Sequence, residues 1–272
     1  MSLEKLVTIS SSDKNINLSE SNSDFTVVLN ERNLSQGVNR VLIKEVTVPN
    51  VFPNIRGIDY KTNLNNVLLI DKQGVGVLPV VVPEGQYVIS TLGVPPPNDL
   101  ITVLTPLIDA AIAPDTVTIT LDPITNKLNF TFSSANYKFL QNNPPTQFTP
   151  LNNVLGIVNE TPAYTNSIDA DGLPDLSGLK NVYIHSKDIA DLNGVDAGFG
   201  LISLAEPVSL VDAPYGSYAY KQNNDDELAS IVFEQPRNLS VIRVVLRDEK
   251  GNKLDIGTHE INIVFKAYFD AV

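Results

Sequence analysis

The chain of 272 residues is long enough to bury a full core, either as one large β domain or as two small ones. Lysine and arginine number 19 against 31 aspartates and glutamates, and the net charge of −12 opposes phosphate neutralisation, the main source of nucleic-acid affinity. With no cysteine there is neither a disulfide framework nor a thiolate metal site.

The charged share is 18%, against about 25% in ordinary globular chains. Sparse charge in a chain rich in Asn, Thr, Ser and Val points to large protein–protein contacts, where charged residues are depleted. A polar, uncharged monomeric β protein is the plainer alternative. The start, Met1-Ser2-Leu3-Glu4-Lys5, lacks the apolar stretch of a secretory signal, and no apolar run approaches the ~18 residues of a membrane span. The expected compartment is therefore the cytosol or nucleus.

Residues 1–23 are polar after a short apolar patch (Leu6, Val7, Ile9) and read as an N-terminal arm or a first edge strand. Strand patterns follow at 25–30 and 40–48, and the second ends in Pro49-Asn50-Val51-Phe52-Pro53-Asn54, a turn that cannot continue a ladder because proline has no N–H. Residues 67–70 read as a short buried strand. An apolar run at 77–82, interrupted by Pro79, leads into Glu84-Gly85-Gln86-Tyr87.

Leu100, Ile101, Leu104, Leu107, Ile108, Ala111 and Ile112 recur at helical spacing. Asn98 is a candidate cap for this helix; alternatively the helix starts at Pro106 with Thr105 as its cap. Next comes the clearest hairpin. Val117, Ile119 and Leu121 alternate with threonines, and Leu128, Phe130 and Phe132 alternate with Asn129 and Thr131 across the turn 122–126. Residues 141–178 read mostly as loop, with an apolar turn at 151–157.

The last third returns to strands, at 181–186, 201–204, 229–234, 239–247 and 260–269. Ile242, Val244 and Leu246 alternate with Arg243, Val245 and Arg247, and Ile261, Ile263 and Phe265 with Asn262, Val264 and Lys266. Three strands before the helical unit and five after it make about eight, the strand number of a jelly roll. The predicted fold is all-β: one jelly-roll sandwich over 1–272 with a helix-plus-hairpin insertion at about 83–160. The rival arrangement is two small β-rich domains.

Few residues offer chemistry. Of the two histidines, His185 sits on a strand pattern and His259 precedes Glu260; a zinc helix would need a second histidine where Ile263 stands. Both read as structural or surface residues. Gly216-Ser217-Tyr218 is only a fragment of a nucleophile elbow. Asp169, Asp171 and Asp175 cluster, but a calcium loop centred on Gly172 would place Ser167 and Gly178 at its first and twelfth positions. Asp225-Asp226-Glu227 reads as an exposed charge run, and Gly194, Gly198 and Gly200 lack the lysine and Ser/Thr of a phosphate loop. Arg56-Gly57-Ile58-Asp59 resembles an integrin-binding tripeptide but carries the extra Ile58, and the likeness reads as coincidence. The densest cationic stretch, Arg243, Arg247, Lys250 and Lys253, is diluted by Asp248, Glu249 and Asp255. No catalytic, cofactor-binding or metal-binding residue is assigned, and no enzyme activity is expected.

Several segments in order resemble the penton (minor capsid) proteins of viruses whose major capsid protein is a double jelly roll, a group that includes virophages, polinton-like viruses and related large DNA viruses. They are Phe25-Thr26-Val27-Val28-Leu29, residues 41–48 ending in Pro49-Asn50, Pro83-Glu84-Gly85-Gln86-Tyr87 with its helix, 121–128, 179–186, and 239–256 with the terminal strand. The resemblance spans nearly the whole chain. It implies a single jelly roll that forms homopentamers at fivefold vertices of an icosahedral virion, among capsomers of the major capsid protein, with a vertex fibre or spike as a further partner. It carries no catalytic residues, no cofactor and no direct nucleic-acid contact. The alternatives are another minor capsid role, or a jelly-roll receptor- or glycan-binding module of a spike. The latter needs an aromatic-lined groove, for which Tyr215, Tyr218 and Tyr220 are the candidates.

Overall fold

The computed structural model describes residues 3–19, 21–29, 37–57, 65–90, 94–140, 151–189, 204–223, 230–249 and 251–269. The first strands are β1 (Leu3–Ser10), β2 (Asp24–Val28) and β3 (Val38–Pro49). Then come β4 (Val67–Lys72), β5 (Gly76–Val81), α1 (Leu100–Ile112), β6 (Val117–Leu121), β7 (Leu128–Phe132), β8 (Tyr137–Phe139), the single turn α2 (Leu151–Val154) and β9 (Ser167–Asp169). The chain closes with β10 (Asn181–Ser186), β11 (Leu204–Ser209), β12 (Tyr218–Gln222), β13 (Ile231–Arg237), β14 (Val241–Arg247) and β15 (Asn262–Phe269). Two compact units result, one from Met1–Val51 with Leu179–Val272 and one from Phe52–Gly178.

The discontinuous unit holds two sheets, ordered β1-β15-β3-β12 and β11-β10-β14-β2, with β13 also pairing β3. Leaving β13 aside and counting strands along the chain, the first, eighth, third and sixth form one sheet and the second, seventh, fourth and fifth the other. That interleaving of two Greek keys is the jelly roll, and the molecule is the all-β fold expected. Each sheet buries one face. On β14, Ile242, Val244 and Leu246 are buried while Arg243, Val245 and Arg247 lie on the opposite side, as period two requires.

The central strand β3 would lose that alternation without a correction. Its ladder with β15 runs Val46↔Ile263, Glu45↔Val264 and then Ile43↔Phe265, leaving Lys44 without an opposite residue. This bulge resets the phase, so that Ile43 on one side of it and Val46 and Val48 on the other all stay buried. The patch at Leu6, Val7 and Ile9 belongs to an edge strand, β1, paired along its length with β15.

The continuous unit contains two three-stranded sheets, β5-β4-β8 and β6-β7-β9, and one helix. Helix α1 buries Leu100, Leu104, Ile108 and Ile112, one stripe at every fourth residue. Its cap is Asp99, not Asn98 or Thr105. Asp99 Oδ2 accepts from Thr102 N (2.9 Å) and Oδ1 from Ser90 N (2.8 Å), so the carboxylate satisfies an orphan helical donor and ties down the preceding loop. Pro106 lies inside the helix. The expected hairpin forms with Val117 opposite Phe132 and Ile119 opposite Phe130. Its turn is stapled by Asp122 Oδ1, which accepts from Ile124 N and Thr125 N, and closes through Asn126 at φ 53°.

The core of this unit joins both sheets: Phe130 meets Phe139 edge-on at 4.9 Å, and Phe132 stacks on Tyr137 at 4.5 Å between ring centroids. The unit begins and ends outside the 83–160 expected from sequence, because the strand at 67–70 pairs here with β5 and β8 and is not part of the jelly roll. The third strand of the jelly roll is instead β3, and the first is β1.

Candidate functional site

Among the described residues of the jelly-roll unit, the exposed aromatic side chains gather on β12, which ends the sheet β1-β15-β3-β12, and on the turn before it. Tyr218 and Tyr220 stand two residues apart on one face of the strand, 50% and 57% exposed, while Ala219 between them is buried. Hydrophobic side chains usually mark the inward face of a strand; here the large ones point to water. Tyr215, in the preceding turn, is 51% exposed and Val211 70%.

This edge is held firmly. Asn50 anchors the turn before β12: its Nδ2 donates to Ala213 O (2.6 Å), its N donates to Ser217 O (2.8 Å), and its O accepts from Gly216 N (2.7 Å). Gly216 takes φ 83°, which suits glycine in this tight reversal. On the other side, Glu206 Oε1 of β11 accepts from Lys221 Nζ (2.6 Å) and Asn223 Nδ2 (2.8 Å), and Asn223 also donates to Ile43 O (2.9 Å). The two edge strands β11 and β12 are thus fastened to each other and to β3. Between them runs an open groove of about 560 Å³ lined by Pro207, Pro214, Tyr218, Tyr220 and neighbouring polar residues. The Tyr220 hydroxyl pKa is pushed up, first by partial loss of hydration beside the sheet and then by the neighbouring Glu45 carboxylate. Of the three candidate tyrosines, Tyr218 and Tyr220 line the groove; Tyr215 lies beside it in sequence but is not among its lining residues.

The remaining sequence candidates are dispersed. His185 is buried (3% exposed) on β10, and its pKa is driven down to about 4, first by desolvation and then by the nearby Arg247 cation. His259 sits at an exposed turn, where its carbonyl accepts from Asn22 Nδ2 at 2.9 Å. Asp169, Asp171 and Asp175 do not converge. Asp169 accepts from Asn129 Nδ2, Asp171 from Asn159 N, and Asp175 from Ser177 N and Oγ. Among the described residues no group of three His, Asp or Glu side chains is arranged to hold a metal ion. Gly57 N donates to Glu84 Oε2 at 3.1 Å, so the glycine of the integrin-like segment is tied inward, while Ile58 and Asp59 lie outside the described residues. Gly194, Gly198, Gly200, Lys250 and the run Asp225-Asp226-Glu227 also lie outside them.

The Glu84-Gly85-Gln86-Tyr87 segment is a structural latch. Asn54 accepts from Tyr87 N (2.9 Å), donates to Tyr87 O (2.7 Å) and Leu176 O (3.0 Å), and its own N donates to Gln86 Oε1 (3.1 Å). Sequence inspection missed a second polar cluster, in which Asp115 Oδ2 accepts from Tyr137 Oη (2.6 Å), Lys72 Nζ (3.0 Å) and Ser134 Oγ (3.2 Å). These bonds, Tyr137's first and Lys72's next, hold the Asp115 pKa down at about 2. Because Lys72 Nζ also donates to Ile112 O, the cluster fastens the end of α1 to β4 and β8 and reads as packing, not chemistry.

No helix of the described residues is long and apolar enough to cross a membrane. No family model and no curated protein matches the chain. Among solved structures it is similar to the penton protein of mavirus, with 9% identity over 98% of this chain and 99% of that one and a TM-score of 0.45.

Proposed function

We propose that the chain is a structural, non-enzymatic subunit of a viral capsid that assembles with itself as a homopentamer and fills fivefold vertices of the virion. Its neighbours there are capsomers of a double-jelly-roll major capsid protein. On this reading the chain is one jelly-roll domain that carries residues 52–178 as its insertion. The observation that carries the proposal is the rigid β11–β12 edge of the jelly roll with two outward tyrosines. A sheet edge with unpaired backbone groups and exposed aromatics is a surface that a second chain can cover. In a ring, the contact is heterologous: the edge of one copy meets a different patch on the next. The sparse charge and the ordered segments resembling penton proteins support the same reading, and the net charge of −12 suits a shell component better than a genome-binding one.

Sedimentation velocity over a range of protein concentrations tests it. A pentamer is expected, and the double substitution Tyr218→Lys/Tyr220→Lys should weaken association at least tenfold while leaving the melting temperature unchanged at concentrations too low for assembly, because both side chains are exposed. A chain that stays monomeric at every concentration, and is found as a monomer in intact particles, refutes the proposal. The tyrosine-lined groove also favours a second reading, a glycan-binding module. Saturable oligosaccharide binding that is lost with Tyr218→Ala would support that reading, and silence on a broad glycan array would count against it.

A further inference from the structure

The outer face of the sheet β11-β10-β14-β2 carries a cluster that the assembly proposal does not use. Residues of three strands meet there by register. Val245 of β14 stands opposite His185 of β10 and Asp24 of β2, Arg243 opposite Thr26, and Arg247 opposite Tyr183. Since Ile242, Val244 and Leu246 point into the core, Arg243 and Arg247 share the outer face.

Asp24 is almost fully buried there (side chain 5% exposed). It takes a forked pair of bonds from Arg243 (Nε to Oδ1 and Nη2 to Oδ2, both 2.8 Å) and a third from Lys253 Nζ at 2.5 Å. Burial raises the pKa of its carboxyl, but these bonds and charges outweigh burial and hold it below the ordinary value.

Beside this pair lies a cleft of about 230 Å³, whose lining includes Lys187, Asp188, Arg243, Arg247 and Lys253 with His185. Four cations therefore face one lining carboxylate, in a protein whose overall charge is −12. The Asp188 carboxylate is already engaged, accepting from Arg243 N at 2.7 Å, and Asp248 is held in its own turn by Asn252 N and Nδ2. Arg247 donates through Nη1 to Gly251 O, yet its Nε–H is buried without a hydrogen-bond acceptor among the described residues. Neither Arg247 nor Lys187 forms a salt bridge among the described residues.

An excess of positive charge in a concave site is relieved by an anion with several oxygens, and a guanidinium and an ammonium without carboxylate partners are the groups that take it. We infer that this cleft is a binding site for a small phosphate-class oxyanion, held by Arg247 and Lys187 with Arg243 and Lys253 at its rim. The volume decides the size of ligand. Pockets for drug-sized molecules run from about 300 to 1,000 Å³, so the cleft suits an orthophosphate or pyrophosphate group and not a nucleoside.

Isothermal titration calorimetry of the full chain at pH 7.5 tests the inference, with inorganic pyrophosphate, orthophosphate and ATP as ligands and chloride of matched ionic strength as the control. Saturable one-to-one binding of pyrophosphate is expected, with ATP no tighter, since the base and sugar find no room. Lys187→Glu should weaken pyrophosphate at least tenfold, and Lys187→Arg should retain it. Lys187 is exposed, so both variants should keep the native melting temperature. No saturable heat above the chloride control, unchanged affinity in Lys187→Glu, or ATP binding more than tenfold tighter than pyrophosphate would each overturn it. None of these results depends on the oligomeric state, so the assembly proposal stands or falls separately.

Discussion

Lowering the pH from 7.5 to 5 should destabilise the protein specifically through His185. The residue is 3% exposed, with its pKa held at about 4 against an ordinary 6.5. Above pH 6.5 the imidazole is neutral in both folded and unfolded chains, and titration changes nothing. Below 6.5 the unfolded chain takes up a proton that the folded chain refuses, so stability falls until the pH passes about 4 and the folded form titrates too. At 1.36 kcal/mol per pH unit the full window amounts to about 3 kcal/mol, of which about 2 kcal/mol is lost by pH 5.

Asp24, on the same outer face of the sheet, is held below its ordinary value and keeps its charge through this window, so it does not mask the effect. Urea unfolding of the native chain and of His185→Gln, at pH 7.5 and 5.0 and one protein concentration, measures it. The difference between the two proteins' losses cancels what other groups contribute. The native chain should lose about 2 kcal/mol more than the variant. Losses equal to within about 0.5 kcal/mol would mean that His185 is hydrated enough to titrate normally, and the reasoning from its burial would fail.

Two further substitutions probe the packing. Asp24→Ala removes the shared acceptor of Arg243 and Lys253, but both cations are about half-exposed (51% and 48%) and regain water. The expected cost is therefore about 2 kcal/mol, below the 3–5 kcal/mol typical of breaking a fully buried pair; a cost above about 4 kcal/mol by urea unfolding would show the cations to be trapped. Gly156 closes α2 at φ 77°, with Ile157 N bonded to Asn152 O and Gly156 N to Asn153 O, and a Cβ there would lie 2.4 Å from Gly172 O. Gly156→Ala adds a backbone clash to left-handed strain, so a loss of at least about 2 kcal/mol is expected by the same measurement. A loss under 1 kcal/mol, on the order of the strain alone, would mean that the 172–173 segment moves aside cheaply.

Much of this architecture was written in short-range periodicity. Alternation on β14, β15 and the β6–β7 hairpin announced their buried faces, and four-residue spacing announced the buried stripe of α1. Strand β12 is not legible in the sequence because its pattern is inverted: Tyr218 and Tyr220 face water and the small Ala219 faces the core, so the large apolar set marks an outward surface. The short apolar run at 67–70 was legible as a strand but not as a strand of the inserted unit, since a run of four says nothing about which sheet it joins. Asn98 and Asp99 both offer a capping side-chain oxygen in the sequence, and only the bonds to Ser90 and Thr102 make Asp99 the cap.

By itself the sequence determined what each segment can do alone: which residues alternate, where proline stops a ladder, and that no run of cations exists for a nucleic acid to follow. Partnership between distant segments belonged to the tertiary structure. Arg243 and Arg247 were visible as outward residues of one strand, but Asp24 lies 219 residues from Arg243 and meets it only because β2 pairs with β14. His185 joins them because β10 pairs with the same strand on its other side. The physical reason is that period two fixes the face a side chain takes within its strand, whereas long-range pairing fixes which strands share that face. The cationic cleft exists only where those two rules meet.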